Sequence, residues 1–319
     1  MEGRSIAMPT ASLTRRSSAF ALTMDSGIRV GRPASPSIVS IVIVAHSVRG
    51  ELERCLASIA EHAELAVGVI LIDNASTDDT LDWVAAHHPE VEVVSLPRNI
   101  GVAARDQGLR RATGRYTMFL DSDAALTAGA LAAMVKALDE HPGWGLIGPR
   151  LIDDDGSLQL SIRRYPPLLL PLLRRPPLGR FFEDRATVRN HLMADARHDH
   201  TRPVLYVLGA CQLFRTSLAR AAGPFDDRVF LGWDDADWCI RIRDSGGEVV
   251  YFPQATVVHS YRRLTKSKPI SRAALRQLRA HVYFQRRYGR RRRELIALAE
   301  ELDRQADQAE GACPAGKPA

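Results

Sequence analysis

Four short apolar runs, separated by stretches long enough for a helix, constrain the fold of this chain more than any other feature. They are "SIVSIVIVA" from Ser37, "VGVILID" from Val67, "VEVVSL" from Val91 and "RYTMFL" from Arg115. Runs rich in valine and isoleucine, with little polar alternation, are typical of strands that are buried on both faces. Their alternation with helix-length segments therefore predicts an open α/β sheet with right-handed crossovers.

Two of these runs end in aspartates. The second ends in Asp73, and the fourth leads into "DSD", which is Asp121 and Asp123. Two carboxylates this close raise each other's pKa unless a cation or strong donors lie between them. The pair is either a solvated turn or a site for a hard cation such as Mg²⁺ or Mn²⁺. Ligands of open α/β sheets bind beyond the carboxyl ends of the strands, which favours the cation site.

A second acidic cluster, "GWDDADW", precedes a predicted helix that ends at Gly246–Gly247. It contributes Asp234, Asp235 and Asp237, and one of these carboxylates could act as a general base for an attacking hydroxyl. A single acidic cluster is more often a turn or a helix cap. The combination of this cluster with the aspartates at the strand ends predicts an enzyme that acts on a phosphate-bearing substrate.

The chain from Ile38 to about Lys268 resembles a family 2 glycosyltransferase of the GT-A fold, in particular the rhamnosyltransferase-like branch that acts on cell-surface polysaccharides. The resemblance rests on seven segments in the expected order: "SIVIVAHS", "LIDNASTDDT", "RNIGVAARDQG", "GRYTMFLDSDA", "VLGACQLFRTS", "GPFDDRVFLGWDDADWCIRIRDSGGEVVYFP" and "VVHSYRRLTKS". It implies a mixed, mostly parallel sheet flanked by helices. It also implies inverting, metal-dependent transfer of a sugar from a nucleotide-diphosphate donor to a hydroxyl of a glycan or lipid-linked glycan.

The same resemblance assigns roles around the donor. Asp121 and Asp123 would hold Mg²⁺ or Mn²⁺ and the diphosphate, and His259 would complete the metal shell unless it is a buried core histidine. The other donor contacts would come from backbone and side chains at strand ends and in loops: Ala45, Asp73, which would bind the nucleobase, Asn99, Gly209 and Ala210. The first strand ends in "AHS", which departs from the family pattern and leaves uridine and thymidine both open.

On the acceptor side the resemblance points to Asp235 as the general base. Trp233 and Asp234 would contact the acceptor, and Asp234 replaces the glutamate that is usual in the family. Asp237 is expected inside the helix, where it could serve as a cap.

Two alternatives compete with this interpretation. An apolar strand ending in D-x-D also resembles a haloacid dehalogenase-like phosphatase, with Asp121 and Asp123 in its active site, but that family places the motif on its first strand. A basic module that binds through Arg286–Arg293 would leave the acidic strand ends unexplained, so no nucleic acid is expected as a partner.

The match to G-x-G-x-x-G at Gly143, Gly145 and Gly148 follows a predicted helix, whereas a dinucleotide site needs a strand before this motif. We therefore interpret the segment as a strand and the "DDDG" after it as a hairpin turn.

The sequence divides into a disordered leader (1–36), the catalytic domain (37–268), basic helices (269–309) and a disordered tail (310–319). The four cysteines have no paired spacing, which favours a reducing cytoplasm. No apolar run reaches the roughly 20 residues that cross a bilayer. Two segments could make peripheral contact with an anionic membrane: Leu168–Leu173 together with Arg174 and Arg175, and the run Arg286–Arg293. Alternatively, the first is a packed loop and the second a solvated helix face.

Overall fold

The structure, a computed structural model, describes residues 29–30, 37–173, 186–260 and 272–312. Most of the expected leader and tail, and the expected boundary at 268, lie outside these residues. The last helix runs to Ala312, so it extends slightly past the predicted start of the tail at 310.

The described residues form strands and helices in alternation. The strands are β1 Arg29–Val30, β2 Val39–Ala45, β3 Val67–Asp73, β4 Glu92–Ser95, β5 Tyr116–Leu120, β6 Ala124–Leu126, β7 Trp144–Ile152, β8 Leu158–Gln159, β9 Ile162–Arg163, β10 Arg202–Pro203, β11 Tyr206–Val207, β12 Cys211–Arg215 and β13 Glu248–His259. The helices are α1 Arg49–His62, α2 Thr80–His87, α3 Arg105–Arg111, α4 Ala130–Glu140, α5 Leu170–Leu173, α6 Ala186–His191, α7 Thr216–Ala222, α8 Asp234–Asp244, α9 Arg272–Tyr288 and α10 Arg292–Ala312. Short 3₁₀ turns cover Gly101–Ala104 and Gly289–Arg291.

The central sheet is mixed, as predicted. Its strands follow the order β1-β4-β3-β2-β5-β12-β7-β13-β10. The four predicted strands, β2 to β5, pair in parallel, and β12 runs antiparallel between β5 and β7. The two longest ladders, β2 with β3 and β7 with β13, are both parallel. The carboxyl ends of β2, β3 and β5 consequently lie at one edge.

Side chains of the central strands alternate between two apolar layers. Ile41 and Ile43 of β2 point into a layer formed with α1, α2 and α4, while Val42 points into the layer that contains α3 and α8. The second layer also receives Phe284, Tyr288 and other residues of α9 and α10. Both faces of the sheet are therefore covered, which explains why the strands lack polar alternation.

Two glycines of the G-x-G-x-x-G segment have packing roles. Gly145 and Gly148 lie in β7, and a Cβ on Gly145 would approach the Cα of Gly247 to 2.6 Å. A Cβ on Gly148 would lie 2.7 Å from the side chain of Val207. These glycines allow close contact between neighbouring elements, and the "DDDG" turn after β7 leads into β8 as predicted.

The two C-terminal helices are tied to the body by ion pairs and hydrogen bonds. Asp237 in the first turn of α8 accepts hydrogen bonds from Tyr288 Oη at 2.8 Å and pairs with Arg287 Nε at 3.0 Å. Asp237 also pairs with Arg241 at 2.8 Å. Its side chain therefore anchors α9, and among the described residues it accepts no N-terminal cap hydrogen bond from the backbone of α8. No described helix combines the length and apolarity that crossing a membrane requires.

Candidate active site

The D-x-D motif lies in a turn that the neighbouring antiparallel strands hold in place. The backbone N–H of Asp121 donates to the carbonyl of Ala210 at 2.9 Å, at the start of β12. The carbonyl of Asp123 accepts from the N–H of Ser260 at 3.0 Å, at the end of β13. After the motif the chain forms β6, which pairs Ala124 with His259. This pairing brings a histidine far along the sequence next to the two aspartates.

Asp121, Asp123 and His259 form a cluster whose ligand atoms all lie within 4.8 Å of one another. The Nε2 atom of His259 is 3.5 Å from Oδ1 of Asp123. Burial lowers the pKa of His259, but the hydrogen bond to Asp123 and the charges of both aspartates outweigh it, so the pKa stands above its ordinary value. Burial and the charge of Asp123 raise the pKa of Asp121 against the lowering effect of Arg105. Two carboxylates and an imidazole at this spacing fit a divalent cation such as Mn²⁺.

Gln159 in β8 fixes the orientation of the histidine ring. Its Oε1 lies 2.8 Å from Nδ1 of His259, and its Nε2 donates to Oδ1 of Asp153 at 2.7 Å and to the carbonyl of His259 at 2.5 Å. An N–H at Nδ1 that donates to Gln159 leaves Nε2 as the ring nitrogen that faces the aspartates. Metal-binding histidines usually have such a partner on the second nitrogen. The hairpin that carries "DDDG" thus supports the cluster, which the sequence did not indicate.

Arg105, at the start of α3, connects the D-x-D motif to the second acidic cluster. Its guanidinium donates to Oδ1 of Asp121 at 2.9 Å, to Oδ2 of Asp234 at 3.0 Å and to the carbonyl of Gly209 at 3.2 Å. The side chain is buried, and its carbon Cζ lies 5.2 Å from the centre of the Phe119 ring. Arg105 lies in "RNIGVAARDQG", one of the segments that carry the family resemblance, but no local pattern predicts a role for this residue.

Asp235 has the features of a general base. Its Oδ1 accepts from the N–H of Ala236 at 2.8 Å, and its Oδ2 has no hydrogen-bond partner among the residues the structure describes. Burial and the neighbouring charge of Asp234 raise the pKa of Asp235 to about 7. A carboxylate with a pKa near the working pH and one uncommitted oxygen is suited to accept a proton.

The other residues expected on the acceptor side are held more tightly. Asp234 is committed to Arg105 and accepts from the N–H of Gly232 at 3.2 Å. Trp233 has a positive φ of 64° and packs against His281 and Phe284 of α9, with ring centres 4.9 and 5.6 Å apart. Their visible contacts position the turn before α8, and direct contact with an acceptor stays a prediction.

The expected nucleotide-side residues lie at the same edge of the sheet, but their polar groups already have partners. Asp73 is buried and accepts from the N–H of Ser76 and the hydroxyl of Ser95, both at 3.0 Å. The carbonyl of Ala45 accepts from the N–H of Asn74 at 2.8 Å. These contacts fix the strand-end turns, and the predicted contact of Asp73 with a nucleobase would add to them.

Asn99 belongs to a pair of interlocked asparagines. Its Oδ1 accepts from Nδ2 of Asn74 at 3.1 Å and from the N–H of Gly101 at 2.9 Å. Gly101 has a positive φ of 66°, and the N–H of Val102 donates to the carbonyl of Phe230 at 3.1 Å. The loop expected to line the nucleotide pocket is thus braced against the loop that leads to Asp234.

Gly209 and Ala210 lie beside the acidic clusters, and their predicted contact with the donor stays a prediction. Their carbonyls accept hydrogen bonds from Arg105 and from the N–H of Asp121, respectively. A Cβ on Gly209 would lie 3.2 Å from Arg105 Nη1 and 3.6 Å from Cβ of Asp235. A glycine here gives room for both side chains.

Comparisons with known proteins identify the family of the chain. The family model described as glycosyl transferase family 2 matches residues 40–215. The chain is 28% identical over 267 residues to an N-acetylglucosaminyl-diphospho-decaprenol L-rhamnosyltransferase of Mycobacterium tuberculosis, which covers 79% of this chain and 85% of that protein.

Solved structures show the same fold at low sequence identity. GalNAc-T7 with UDP, GalNAc and Mn²⁺ has a TM-score of 0.55 and 18% identity, and covers 74% of this chain and 46% of its own. A mannosyltransferase from Pyrobaculum calidifontis in complex with GDP-Man and Mn²⁺ has a TM-score of 0.50 and 22% identity, and covers 73% of this chain and 60% of its own. These likenesses confirm the predicted GT-A fold.

Proposed function

Because the chain belongs to glycosyl transferase family 2, we propose that this glycosyltransferase moves a sugar, with inversion, from a nucleotide-diphosphate donor to a hydroxyl of a glycan or lipid-linked glycan. The proposal includes a divalent cation, Mg²⁺ or Mn²⁺, at Asp121, Asp123 and His259. It also makes Asp235 the base that accepts the proton of the attacking hydroxyl.

The observation that carries the proposal is the bridge made by Arg105. One buried guanidinium contacts Asp121 of the metal cluster at 2.9 Å and Asp234, the neighbour of Asp235, at 3.0 Å. The bridge sets the distance between a site for a diphosphate and a carboxylate suited to proton transfer. Two substrates bound at these places would be held next to each other, which removes much of the entropic barrier.

The residues divide the reaction between them. A cation at the cluster would neutralise charge on the departing diphosphate. Asp235, with its uncommitted oxygen, takes the proton as the acceptor oxygen forms its bond to the anomeric carbon. The bond from that carbon to the diphosphate oxygen breaks, and attack from the opposite face inverts the configuration. Arg105 holds Asp234 beside Asp235, and this negative neighbour raises the affinity of Asp235 for the proton.

The substrate class follows from the relatives. The mycobacterial relative is named as an L-rhamnosyltransferase that acts on N-acetylglucosaminyl-diphospho-decaprenol. We extend that class to this chain, so a deoxyhexose donor and a polyprenyl-diphosphate-linked glycan are the substrates to test first. Such an acceptor would place the enzyme in the cytoplasm at the inner face of the cell membrane, in polysaccharide synthesis. Asp73 and Asn99, the residues expected on the nucleotide side, already have protein partners. The melting experiment below therefore compares three nucleobases.

Thermal melting tests the donor site directly. Uridine, thymidine or guanosine diphosphate with Mn²⁺ should raise the melting temperature, because a ligand at 100 times its Kd stabilises a folded protein by about 2.7 kcal/mol. Asp123→Asn should abolish the Mn²⁺-dependent part of this rise and the transfer activity. A rise of equal size in EDTA, or an unaffected Asp123→Asn protein, would refute the metal site.

The phosphatase alternative receives no support from the site. Its D-x-D motif belongs on the first strand of the sheet domain, and here the motif follows β5. The products released by the wild-type protein distinguish the two functions, because a phosphatase would release inorganic phosphate and a glycosyltransferase would release a nucleoside diphosphate.

A further inference from the structure

One face of α9 is turned to the solvent and combines apolar and basic side chains. Leu275, Arg279, Val282 and Arg286 are spaced by four, three and four residues, so they lie on one face of the helix. All four are exposed, with 48% of Leu275 and 41% of Val282 accessible to solvent. The opposite face packs Phe284 and its neighbours into the core. An exposed apolar stripe on a soluble domain usually marks a contact surface.

The charges on this face are uncompensated. The chain contains no aspartate or glutamate from Arg272 to Arg293. Arg287 and Arg291 reach acids elsewhere, with Arg291 bound to Asp244 at 2.7 Å. Within the described residues Arg279 and Arg286 make no ion pair or hydrogen bond. The basic run thus has two parts, one that holds the fold together and one that faces outward.

The proline-rich loop before α5 extends the same surface. Its backbone is fixed on α9, because the carbonyl of Leu168 lies 2.9 Å from Nε2 of His281 and the carbonyl of Pro166 accepts from Gln285 at 3.0 Å. The side chains of Leu168 and Leu169 remain outside, 55% and 57% exposed. A firmly held backbone that presents two leucines to solvent adds apolar area next to α9. We call Leu168, Leu169, Leu275, Arg279, Val282 and Arg286 the leucine–arginine face.

This face lies on the opposite side of α9 from the loop that leads to Asp235. The inner side of α9 covers the loop that leads to Asp235: Trp233 packs against His281, and Arg276 lies 3.8 Å over the ring of Phe230. Leu231 in the same loop is 40% exposed. One helix therefore separates the outward surface from the turn that carries the proposed base.

We propose that the leucine–arginine face docks the enzyme on an anionic phospholipid surface, where the lipid end of its acceptor is embedded. The inference rests on the proposed function for the acceptor, but the surface itself follows from the exposed residues. Apolar side chains enter the boundary between headgroups and acyl chains, and arginines beside them pair with lipid phosphates. The stripe on α9 and the loop leucines supply both parts.

Vesicle sedimentation tests the docking surface. The full chain should bind vesicles of phosphatidylcholine mixed with phosphatidylglycerol, bind phosphatidylcholine alone weakly, and lose affinity as salt rises. Arg279→Ser/Arg286→Ser should weaken binding to the anionic vesicles by about 30-fold, because two arginines near an anionic surface together contribute about 2 kcal/mol and about 1.4 kcal/mol corresponds to a factor of ten. Leu169→Ser/Val282→Ser should weaken it at all salt concentrations, because the apolar contribution is not screened.

A charge-matched control keeps the test specific. Arg110→Ser/Lys136→Ser removes two exposed positive charges from α3 and α4 and should bind as the wild type does. Equal loss in this control, or equal binding to both vesicle types by the wild type, would overturn the proposal. A dimer in solution that Leu169→Ser/Val282→Ser dissociates would overturn it too, since the face would then bind a second copy of the chain.

Transfer to a water-soluble acceptor analogue separates this inference from the proposed function. Both variants of the face should retain the wild-type rate with that analogue and lose rate only with a vesicle-embedded acceptor. Absence of vesicle binding with intact transfer would refute the docking surface alone. Vesicle binding without any transfer would refute the proposed function alone.

Discussion

Asp235 combines a raised pKa with an oxygen that has no described partner, so its protonation state should govern the rate. Asp235→Asn should lower kcat by about 10²–10⁴-fold, the usual contribution of a general base, with donor affinity nearly unchanged. The pKa of about 7 means that kcat/KM of the wild type should rise with pH through neutrality as the carboxyl group loses its proton. This rise should be absent from the residual activity of the variant.

The neighbour of the base provides the control for that prediction. Asp234→Asn leaves a carboxylate at position 235 but removes the negative charge that raises its pKa. The pH profile should therefore shift to lower pH and keep its shape. A crippling loss in Asp234→Asn together with a mild one in Asp235→Asn would place the base one residue earlier.

Gln159 offers a test of His259 as a metal ligand that leaves the histidine in place. Gln159→Leu removes the acceptor for Nδ1, so the ring loses its orientation. The affinity for Mn²⁺, measured by calorimetry, should fall about 10- to 100-fold, the usual effect of removing such a partner. Gln254→Leu, which alters an exposed glutamine bonded to Thr201, should leave it unchanged. Unaltered affinity in Gln159→Leu would make His259 a structural residue.

Some residues of the candidate site could be predicted from the sequence, and others could not. Asp121, Asp123 and Asp235 were recognisable because a motif surrounds each of them. Arg105 and Gln159 were not, because their importance depends on partners 16, 129 and 100 positions away. An arginine in a helix and a glutamine in a hairpin have no local signature. The predicted nucleotide-side roles of Asp73 and Asn99 stay untested, and the structure adds hydrogen bonds within their own turns.

At the scale of elements, β7 and β13 depend on two facing glycines. Gly145→Ala would place a Cβ 2.6 Å from the Cα of Gly247, and backbone cannot yield as a flexible side chain does. We expect a loss of unfolding free energy of about 1–3 kcal/mol, the usual result of overpacking, in chemical denaturation. Gly143→Ala is the matched control, because its Cβ would meet only the Glu248 side chain at 3.8 Å. Equal stability of both variants would contradict this packing.

The strands that could be predicted were β2 to β5, which have continuous apolar runs, and β7, which contains Gly145 and Gly148. Strand β6 escaped prediction because it has three residues, Ala124–Leu126, directly after the D-x-D motif. The segments "EVVYF" and "ATVVHS" both lie in the single strand β13, which has an irregularity between Phe252 and Thr256. The pairing of β6 with β13 brings His259 to Asp123, and strand pairing over such a distance leaves no periodic signal.

At the scale of the whole molecule, Arg105 links the D-x-D motif on the proposed donor side to the turn that carries Asp234 and Asp235, and α9 packs against that turn. Asp237 was expected as a helix cap, and the structure makes it the anchor of α9 through Tyr288 and Arg287. The basic C-terminal helices therefore combine two features. Ion pairs hold them on the rest of the protein, and the leucine–arginine face of α9 is proposed to bind lipid.

The central claim is that one cation site and one base carry out inverting transfer. The most direct measurement is the anomeric configuration of the product, determined by NMR after reaction with nucleotide-diphosphate deoxyhexoses and a polyprenyl-diphosphate-linked N-acetylglucosamine, with Mn²⁺ or with EDTA. The account predicts a product inverted relative to the donor, formed with Mn²⁺ and lost in EDTA. A product that retains the configuration of the donor, or transfer that continues at the same rate in EDTA, would contradict it.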